Sequence, residues 1–227
     1  YESQEQLDYW RSRVEDRVAD MVDSGVVIDT TDALIPSSFN FAYHGKNDRP
    51  LMENLAKIYR GVQCCAAAKE GGWRPPGKRL RIGFLSAHFC NHTIGRLNIG
   101  MVERLPREDF EVVVISLRRH EDAFAERFKR AADQYVVVPR SPRAARKMIA
   151  ELKLDILLFT DVGMDALTQT LCYSRMAPIQ AATWGHPVTT GSPAIDYFIS
   201  SDLAEPENAQ EHYSEQLVRL PGMGVYY

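Results

Sequence analysis

The sequence predicts an α/β protein: a doubly wound, mainly parallel, Rossmann-like sheet preceded by a helical segment. Beyond residue 79 the chain alternates between short apolar segments and segments of helix length, which is the pattern of strands joined by helical crossovers. The short segments are apolar at nearly every position, and strands of that kind are covered on both faces. A chain of 227 residues with 45% hydrophobic residues can fill such a core.

The N-terminal third is predicted to be helical. Apolar residues recur every three or four positions from residue 7 to residue 21, which predicts an amphipathic helix over about 1–24 that stops near Gly25. Residues 26–50 break this period and are predicted to form a loop, and a second helix follows over about 51–68. The stretch 69–79 mixes glycine, proline and charge, as linkers do. We therefore expect a helical connector and linker over 1–75 and a Rossmann-like half-domain over 76–227.

The half-domain is predicted to contain seven strands, over residues 80–87, 110–117, 135–139, 155–161, 179–185, 196–202 and 216–222. Helices are predicted between them over about 94–105, 121–132, 142–152, 165–175 and 206–213. In such sheets ligands bind at the carboxyl ends of the strands, near the point where strand order reverses. The candidate functional residues are therefore those that follow each strand.

Composition narrows the class of protein. A net charge of −3 offers no general attraction to nucleic acid or to an anionic membrane, and no apolar run approaches the roughly 20 residues that span a bilayer. The four cysteines lack paired spacing, so we expect reduced thiols, a cytoplasmic setting and no zinc site. The chain begins with Tyr1 and ends just after a strand-like segment, which we interpret as a fragment of a longer protein.

The segment after the first sheet strand carries His88, Asn91, His92 and Thr93. His92 would lie at the start of a helix, where an imidazole can serve as a general base and the helix N-terminus attracts an anion. The alternative is structural: His92 or Thr93 caps the helix and His88 packs at the sheet edge.

The loop after the fifth sheet strand contains Gly185, Pro187, Thr189 and Gly191. Its glycines let the backbone approach a ligand, and hydroxyls of Thr189 and Thr190 could bond to a sugar. A rigid crossover between strands explains the same composition.

Charged residues elsewhere have structural interpretations. Asp161 and Asp165 follow the fourth sheet strand without a third carboxylate nearby in sequence, so we expect them to start a helix and to bind no metal. Cys90 is interpreted as a small buried cysteine. The segment with His120 and the basic run 139–147 are expected to form solvated helix faces.

Five blocks together resemble the O-linked N-acetylglucosamine transferase family, including its bacterial SPINDLY-like members with tetratricopeptide repeats. The blocks are RIGFLSAHFCNHTIGRL, DILLFTDVGMD, APIQAATWGHPVTTG, IDYFIS and EHYSEQLVRLPG. Their order and spacing match from about residue 79 to 227, and FNFAYHGKNDRPLMENLAKIY resembles the family's helical connector.

The resemblance implies the N-terminal half of the catalytic region of a GT-B glycosyltransferase. Such an enzyme transfers a sugar, in this family GlcNAc, from a UDP-sugar to Ser or Thr hydroxyls of proteins, with inversion and without a metal or other cofactor. The expected partners are a protein or peptide acceptor, the UDP-sugar, a C-terminal nucleotide-binding half and N-terminal tetratricopeptide repeats. The fragment alone is expected to be inactive.

Site residues carry over from the resemblance position by position. His92 matches the family's histidine beside the donor sugar, a proposed base or positioning residue, with Asn91 next to it. Gly185 and Pro187 match the loop against the sugar, and Thr189 and Gly191 its downstream turn. At three positions this sequence departs from many members, which have aspartate, proline and tyrosine where it has His88, Thr93 and His186. These three residues and Asp161 are also expected to line the donor and acceptor cleft.

Two other functions remain open at this point. One is a GT-B isomerase resembling UDP-GlcNAc 2-epimerase, which needs no protein acceptor. The other is a non-catalytic module that binds a partner.

Overall fold

The computed structural model describes residues 2–66 and 78–222. Its N-terminal segment contains helix α1 (Gln4–Asp23), strand β1 (Ile28–Asp29), a 3₁₀ helix (Phe39–His44), helix α2 (Arg49–Ile58) and strand β2 (Tyr59–Arg60). The hydroxyl of Ser3 caps α1 by accepting from the backbone N–H of Gln6. The apolar faces of α1 and α2 pack together around Val18, Leu51 and Ile58. The predicted first helix is confirmed.

Residues 78–222 form a seven-stranded parallel sheet with its connecting helices. Its strands are β3 (Leu80–Ser86), β4 (Phe110–Ser116), β5 (Gln134–Val137), β6 (Ile156–Phe159), β7 (Ile179–Thr183), β8 (Tyr197–Ser201) and β9 (Gln216–Leu220). Their spatial order is β5-β4-β3-β6-β7-β8-β9, and every neighbouring pair is parallel. The order reverses between β3 and β6. The predicted Rossmann-like α/β fold is confirmed.

On β3 and β4, neighbouring side chains enter different cores. Phe84, Val112 and Val114 pack on one face of the sheet, whereas Leu85 and Val113 pack on the other. Because successive residues of a strand point to opposite faces, apolar residues at every position mean that both faces are covered. The connecting helices are α3 (Thr93–Arg104), α4 (Ala123–Ala131), α5 (Pro142–Glu151) and α6 (Ala166–Cys172).

Helix α2 ends about ten residues earlier than the sequence predicts. Its last residue is Ile58, and Tyr59 adopts an extended backbone and pairs with Ile28 of β1. The Tyr59 ring also packs against Tyr173, with ring centroids 5.3 Å apart. The helix prediction for residues 59–66 is therefore wrong, because tertiary pairing overrides local helix propensity. Near residue 210, only a 3₁₀ turn (Ala209–His212) forms where a longer helix was predicted.

The predicted linker lies largely outside the described residues, as do positions 67 and 68 of the predicted second helix. The boundary near residue 75 therefore stays a prediction. The connector nevertheless packs against the sheet domain. The backbone N–H of Ile35 donates to the hydroxyl of Thr170 at 3.1 Å, and Cys64 N–H donates to the carbonyl of Arg175 at 2.8 Å.

Arg146 joins these two parts and corrects the prediction of a solvated basic face. Its side chain is buried and all five of its N–H groups find acceptors. Nε donates to Ser174 Oγ, Nη1 to the carbonyls of Thr30 and Thr31, and Nη2 to Thr30 Oγ1 and the Thr170 carbonyl. The sequence pattern of a helix face shows only how residues are spaced. The acceptors of Arg146 belong to segments that are remote in sequence, so the pattern could not predict that this side chain is buried.

Candidate functional site

The candidate residues meet where the strand order reverses. Residues 88–93 follow β3, residues 160–165 follow β6, and residues 184–191 follow β7, and these three strands are adjacent and parallel. Their carboxyl ends therefore share one edge of the sheet, which is where open α/β sheets bind ligands.

His88 and His92 form a stacked pair at this edge. Their ring centroids are 4.4 Å apart and their planes differ by 21°. Burial is the largest of the effects that lower the pKa of His88 to about 4, and the nearby His92 and Arg118 add to it. His88 is therefore neutral at neutral pH. Its Nε2 lies 3.9 Å from Oδ2 of Asp161, beyond hydrogen-bond distance.

His92 caps helix α3. Its Nδ1 accepts a hydrogen bond from the backbone N–H of Ile94 at 3.2 Å. A neutral imidazole whose Nδ1 accepts carries its proton on Nε2. The structural alternative is thus confirmed for the Nδ1 side of this ring, and a catalytic role for His92 stays a prediction. Thr93 is exposed as the first residue of α3.

The loop that carries the two histidines is tightly held. Asn91 is exposed, its N–H donates to Asp122 Oδ2 at 2.8 Å, and its side-chain oxygen accepts from Arg96 at 2.8 Å. A Cβ on Gly95 would lie 2.0 Å from the carbonyl oxygen of Cys90, so only glycine fits there. Cys90 is a partly buried free thiol, and burial raises its pKa, which disfavours the thiolate.

Asp161 does not start a helix, contrary to expectation. Its Oδ2 accepts from the hydroxyl of Ser86 at 2.8 Å and from the N–H of Ala87 at 2.9 Å, so it joins β6 to the end of β3. The side chain is fully buried, and Oδ1 has no hydrogen-bond partner among the described residues. Burial raises the pKa of Asp161 to about 6. The parallel register brings the two strand ends together, and residue types alone did not indicate this contact.

Asp165 does start helix α6, as predicted. Its Oδ1 accepts from the N–H groups of Leu167 and Thr168, and its Oδ2 accepts from Arg118 and Arg140. Within residues 2–66 and 78–222, no three His, Cys, Asp or Glu side chains are arranged to hold a metal ion.

The loop after β7 packs closely against the end of β6. A Cβ on Gly185 would lie 1.8 Å from the carbonyl oxygen of Thr160. His186 is buried and stacked on Phe39 of the connector, with ring centroids 5.2 Å apart. Its Nε2 has no partner among the described residues, and burial lowers its pKa to about 4. Pro187 is exposed.

Thr189 and Thr190 are not free to bond a sugar. Thr189 Oγ1 donates to Oε2 of buried Glu215 at 2.6 Å, and the N–H and hydroxyl of Thr190 both donate to Glu215 Oε1. Gly191 has φ +68°, and a Cβ there would lie 2.3 Å from the backbone of Met52. This half of the loop is therefore the rigid crossover that composition equally allowed. No local pattern points to Glu215, because its partners Thr189 and Thr190 lie about 25 residues earlier in the chain.

A cavity of about 580 Å³ lies beside the same loop. Its lining includes Lys46 of the connector together with Trp184, Pro187, Glu205 and Tyr213. The described residues form no helix that is long and apolar enough to cross a membrane.

The chain is similar to several known proteins. The model of glycosyl transferase family 41 matches residues 67–224. The chain is 32% identical over 155 residues to an Arabidopsis thaliana protein named "Probable UDP-N-acetylglucosamine--peptide N-acetylglucosaminyltransferase SEC", covering 67% of this chain and 16% of that protein. A Caenorhabditis elegans UDP-N-acetylglucosamine--peptide N-acetylglucosaminyltransferase is 28% identical over 64% of this chain and 13% of its own length.

A solved structure is also similar. A mutant of the Thermobaculum terrenum O-GlcNAc transferase superimposes with a TM-score of 0.64 at 26% identity, covering 76% of this chain and 33% of that one. The chain thus spans less than a fifth of the curated relatives described above.

Proposed function

The chain belongs to glycosyl transferase family 41, and we propose that the protein containing it is an inverting O-glycosyltransferase acting on proteins. It moves a sugar, GlcNAc, from a UDP-sugar to Ser or Thr hydroxyls. The names of two relatives, both peptide N-acetylglucosaminyltransferases, support the donor and the peptide acceptor. Because the chain covers a small share of those relatives, the activity belongs to the whole protein. A C-terminal nucleotide-binding half and N-terminal tetratricopeptide repeats are part of the proposal.

The observation that carries the proposal is the placement of His92 after β3, at the point where the strand order reverses and where its ring stacks on that of His88. Displacement at an anomeric carbon needs an oriented sugar, an activated hydroxyl and a stabilised leaving diphosphate. His92 has the chemistry for the first need, and it would serve the second only with an unprotonated Nε2.

The helix cap favours a positioning role for His92 over a basic one. With Nδ1 accepting from Ile94, the neutral ring donates through Nε2 and has no free lone pair there. To act as a base at Nε2 the ring would have to move its proton to Nδ1, where it would face the N–H of Ile94 and abolish the cap. We therefore propose that Nε2–H of His92 donates a hydrogen bond to the donor substrate.

The first part of the loop after β7, which contains Gly185 and Pro187, shapes the proposed sugar site. The close approach of Gly185 to Thr160 and the exposed Pro187 leave backbone rather than Thr189 to face the sugar, since the Thr189 hydroxyl is bound to Glu215. The proposed reaction uses no metal or other cofactor. A cytoplasmic location stays a prediction, supported by four free cysteines.

The test uses the intact parent protein and distinguishes the helix-capping role of His92 from the role of its imidazole in sugar transfer. His92→Ala removes both, whereas His92→Ser restores a side chain that caps helices well and still lacks the imidazole. We expect both variants to lose transfer of labelled GlcNAc to protein, and only the alanine variant to lose stability, by about 1 kcal/mol. Unchanged turnover in His92→Ser would remove the imidazole from the mechanism.

Product analysis with the UDP-sugar alone tests the reaction class. Release of an epimerised nucleotide sugar would replace the transferase by an epimerase. Failure of the intact protein to bind UDP would support a non-catalytic binding module.

A further inference from the structure

Two arginines converge on one carboxylate oxygen beside the histidine pair. Arg118 follows β4 and Arg140 follows β5. Nη2 of Arg118 lies 2.8 Å from Oδ2 of Asp165, and both terminal nitrogens of Arg140 lie 3.3 Å from the same atom. Since all three residues follow parallel strands of one sheet, they lie at the edge that carries His88 and His92.

The charges in this group do not cancel. Two guanidinium groups share one carboxylate, whose other oxygen caps helix α6, so one positive charge is left over. Asp122, on the same loop as Arg118, does not compensate for it, because its two oxygens accept backbone N–H groups of Ala125 and Asn91.

The arginines are accessible and have unused donors. Their side chains are 48% and 45% exposed, whereas that of Asp165 is 3% exposed. A guanidinium carries five N–H groups. Among the residues that the structure describes, Asp165 Oδ2 is the one acceptor that the side chains of Arg118 and Arg140 bond to. Most of these N–H groups are therefore open to a ligand.

We infer that Arg118 and Arg140 form a binding site for an anionic group of a substrate, a phosphate or a carboxylate. The planar guanidinium fork matches both groups and binds them through paired hydrogen bonds. Asp165 fixes the two guanidinium groups close to each other, so that they need little rearrangement when the ligand binds. The positive charge of Arg118 also reaches His88, where it adds to burial and to His92 in disfavouring protonation of that ring.

The inference deepens the proposed function and rests on it for the identity of the ligand. In a UDP-sugar glycosyltransferase the anion has two sources: the diphosphate of the donor, or an acidic side chain of the acceptor next to the modified hydroxyl. Both present the same chemistry to the arginines.

The first experiment measures the anion site without assuming the reaction. Inorganic pyrophosphate is titrated calorimetrically into the intact parent protein, into Arg118→Gln and into Arg140→Gln. Each single variant leaves the other arginine on Asp165, which keeps that buried carboxylate paired. Loss of the charge-assisted bonds should weaken binding at least about tenfold in each variant. Arg119→Gln is the matched control, because Arg119 is exposed and adjacent in sequence, and its affinity should stay within about twofold. Equal affinities in all four proteins would overturn the inference.

The second experiment identifies the source and separates the two proposals. If the ligand is the donor diphosphate, Arg140→Gln weakens UDP binding and leaves uridine binding unchanged. If it is an acceptor side chain, UDP binding is unchanged, and the variant loses a preference of the wild type for Ser peptides flanked by Glu over those flanked by Gln. Arginine-dependent pyrophosphate binding without any sugar transfer would refute the proposed function alone. Normal transfer with no effect of either arginine variant in any assay would refute the anion site alone.

Discussion

Replacing Arg146 by alanine should detach the connector from the sheet domain. The guanidinium is 2% exposed and bridges Thr30 and Thr31 of the connector to Thr170 and Ser174 around helix α6. None of its acceptors is a carboxylate, and burial lowers the pKa of Arg146. The five hydrogen bonds therefore compensate for a buried charge without a counter-ion.

The size of the effect follows from the groups left behind. The alanine variant leaves three carbonyl oxygens and two hydroxyls without this donor, and an unsatisfied buried polar group costs about 1–3 kcal/mol. The hydroxyls can rotate to other partners and the truncation admits water, so the costs do not add in full. We expect a loss of about 2–3 kcal/mol, because several buried acceptors lose their donor while the cost of burying the charge is relieved. The free energy of unfolding of Arg146→Lys, whose ammonium group has three donors, should lie between those of the wild type and Arg146→Ala.

Urea unfolding followed by circular dichroism measures the loss as a shift of the midpoint at constant slope. Arg143→Ala is the control, because Arg143 lies on the same helix but makes an exposed ion pair with Asp32, and it should unfold almost like the wild type. Limited proteolysis should cut residues 26–48 faster in Arg146→Ala. The reasoning is refuted if Arg146→Ala is no less stable than Arg143→Ala.

Three further changes test the packing around the site. Gly191→Ala should cost at least about 1 kcal/mol, because φ is +68° and the new Cβ would meet the backbone of Met52, and a thermal shift of less than a degree would contradict this. Burial lowers the pKa of His186 to about 4, so the unfolded chain binds a proton at this imidazole more tightly than the folded protein does. The free energy of unfolding should therefore fall by up to about 3 kcal/mol as pH drops from 6.5 to 4. His186→Gln should flatten this pH dependence relative to the wild type. Glu215→Gln should cost about 1–3 kcal/mol, because the amide keeps one acceptor oxygen where the carboxylate accepts from Thr190 at Oε1 and from Thr189 at Oε2. Urea midpoints equal to those of the wild type would exclude that role.

The sheet could be predicted from the sequence because its central strands are buried on both faces. Residues such as Phe84 and Leu85 are apolar neighbours that enter opposite cores, and a run of that kind has few alternatives in a chain of this length. The N-cap at Asp165 was readable for a similar reason, since a cap is satisfied within three residues.

The roles of individual site residues were less readable. The spacing favoured a structural role for His92 and the family resemblance a catalytic one, and the bond to Ile94 shows that its two nitrogens have different environments. Asp161 was expected at a helix start, yet its partners are Ser86 and Ala87 on another strand. The end of helix α2 was mispredicted because strand pairing with residues 28–29 competes with helix propensity.

The sequence by itself determined what is local or periodic: the apolar strands, the helix starts and the α/β class, together with the family resemblance carried by five ordered blocks. Tertiary structure decided which polar side chains are free to act. It bound Thr189 to Glu215, buried Arg146 under the connector, and left Arg118 and Arg140 open beside the histidines. The reason is physical: most buried polar groups find a partner, and in this fold the partner often lies on another strand or loop, at a sequence distance that no local pattern encodes.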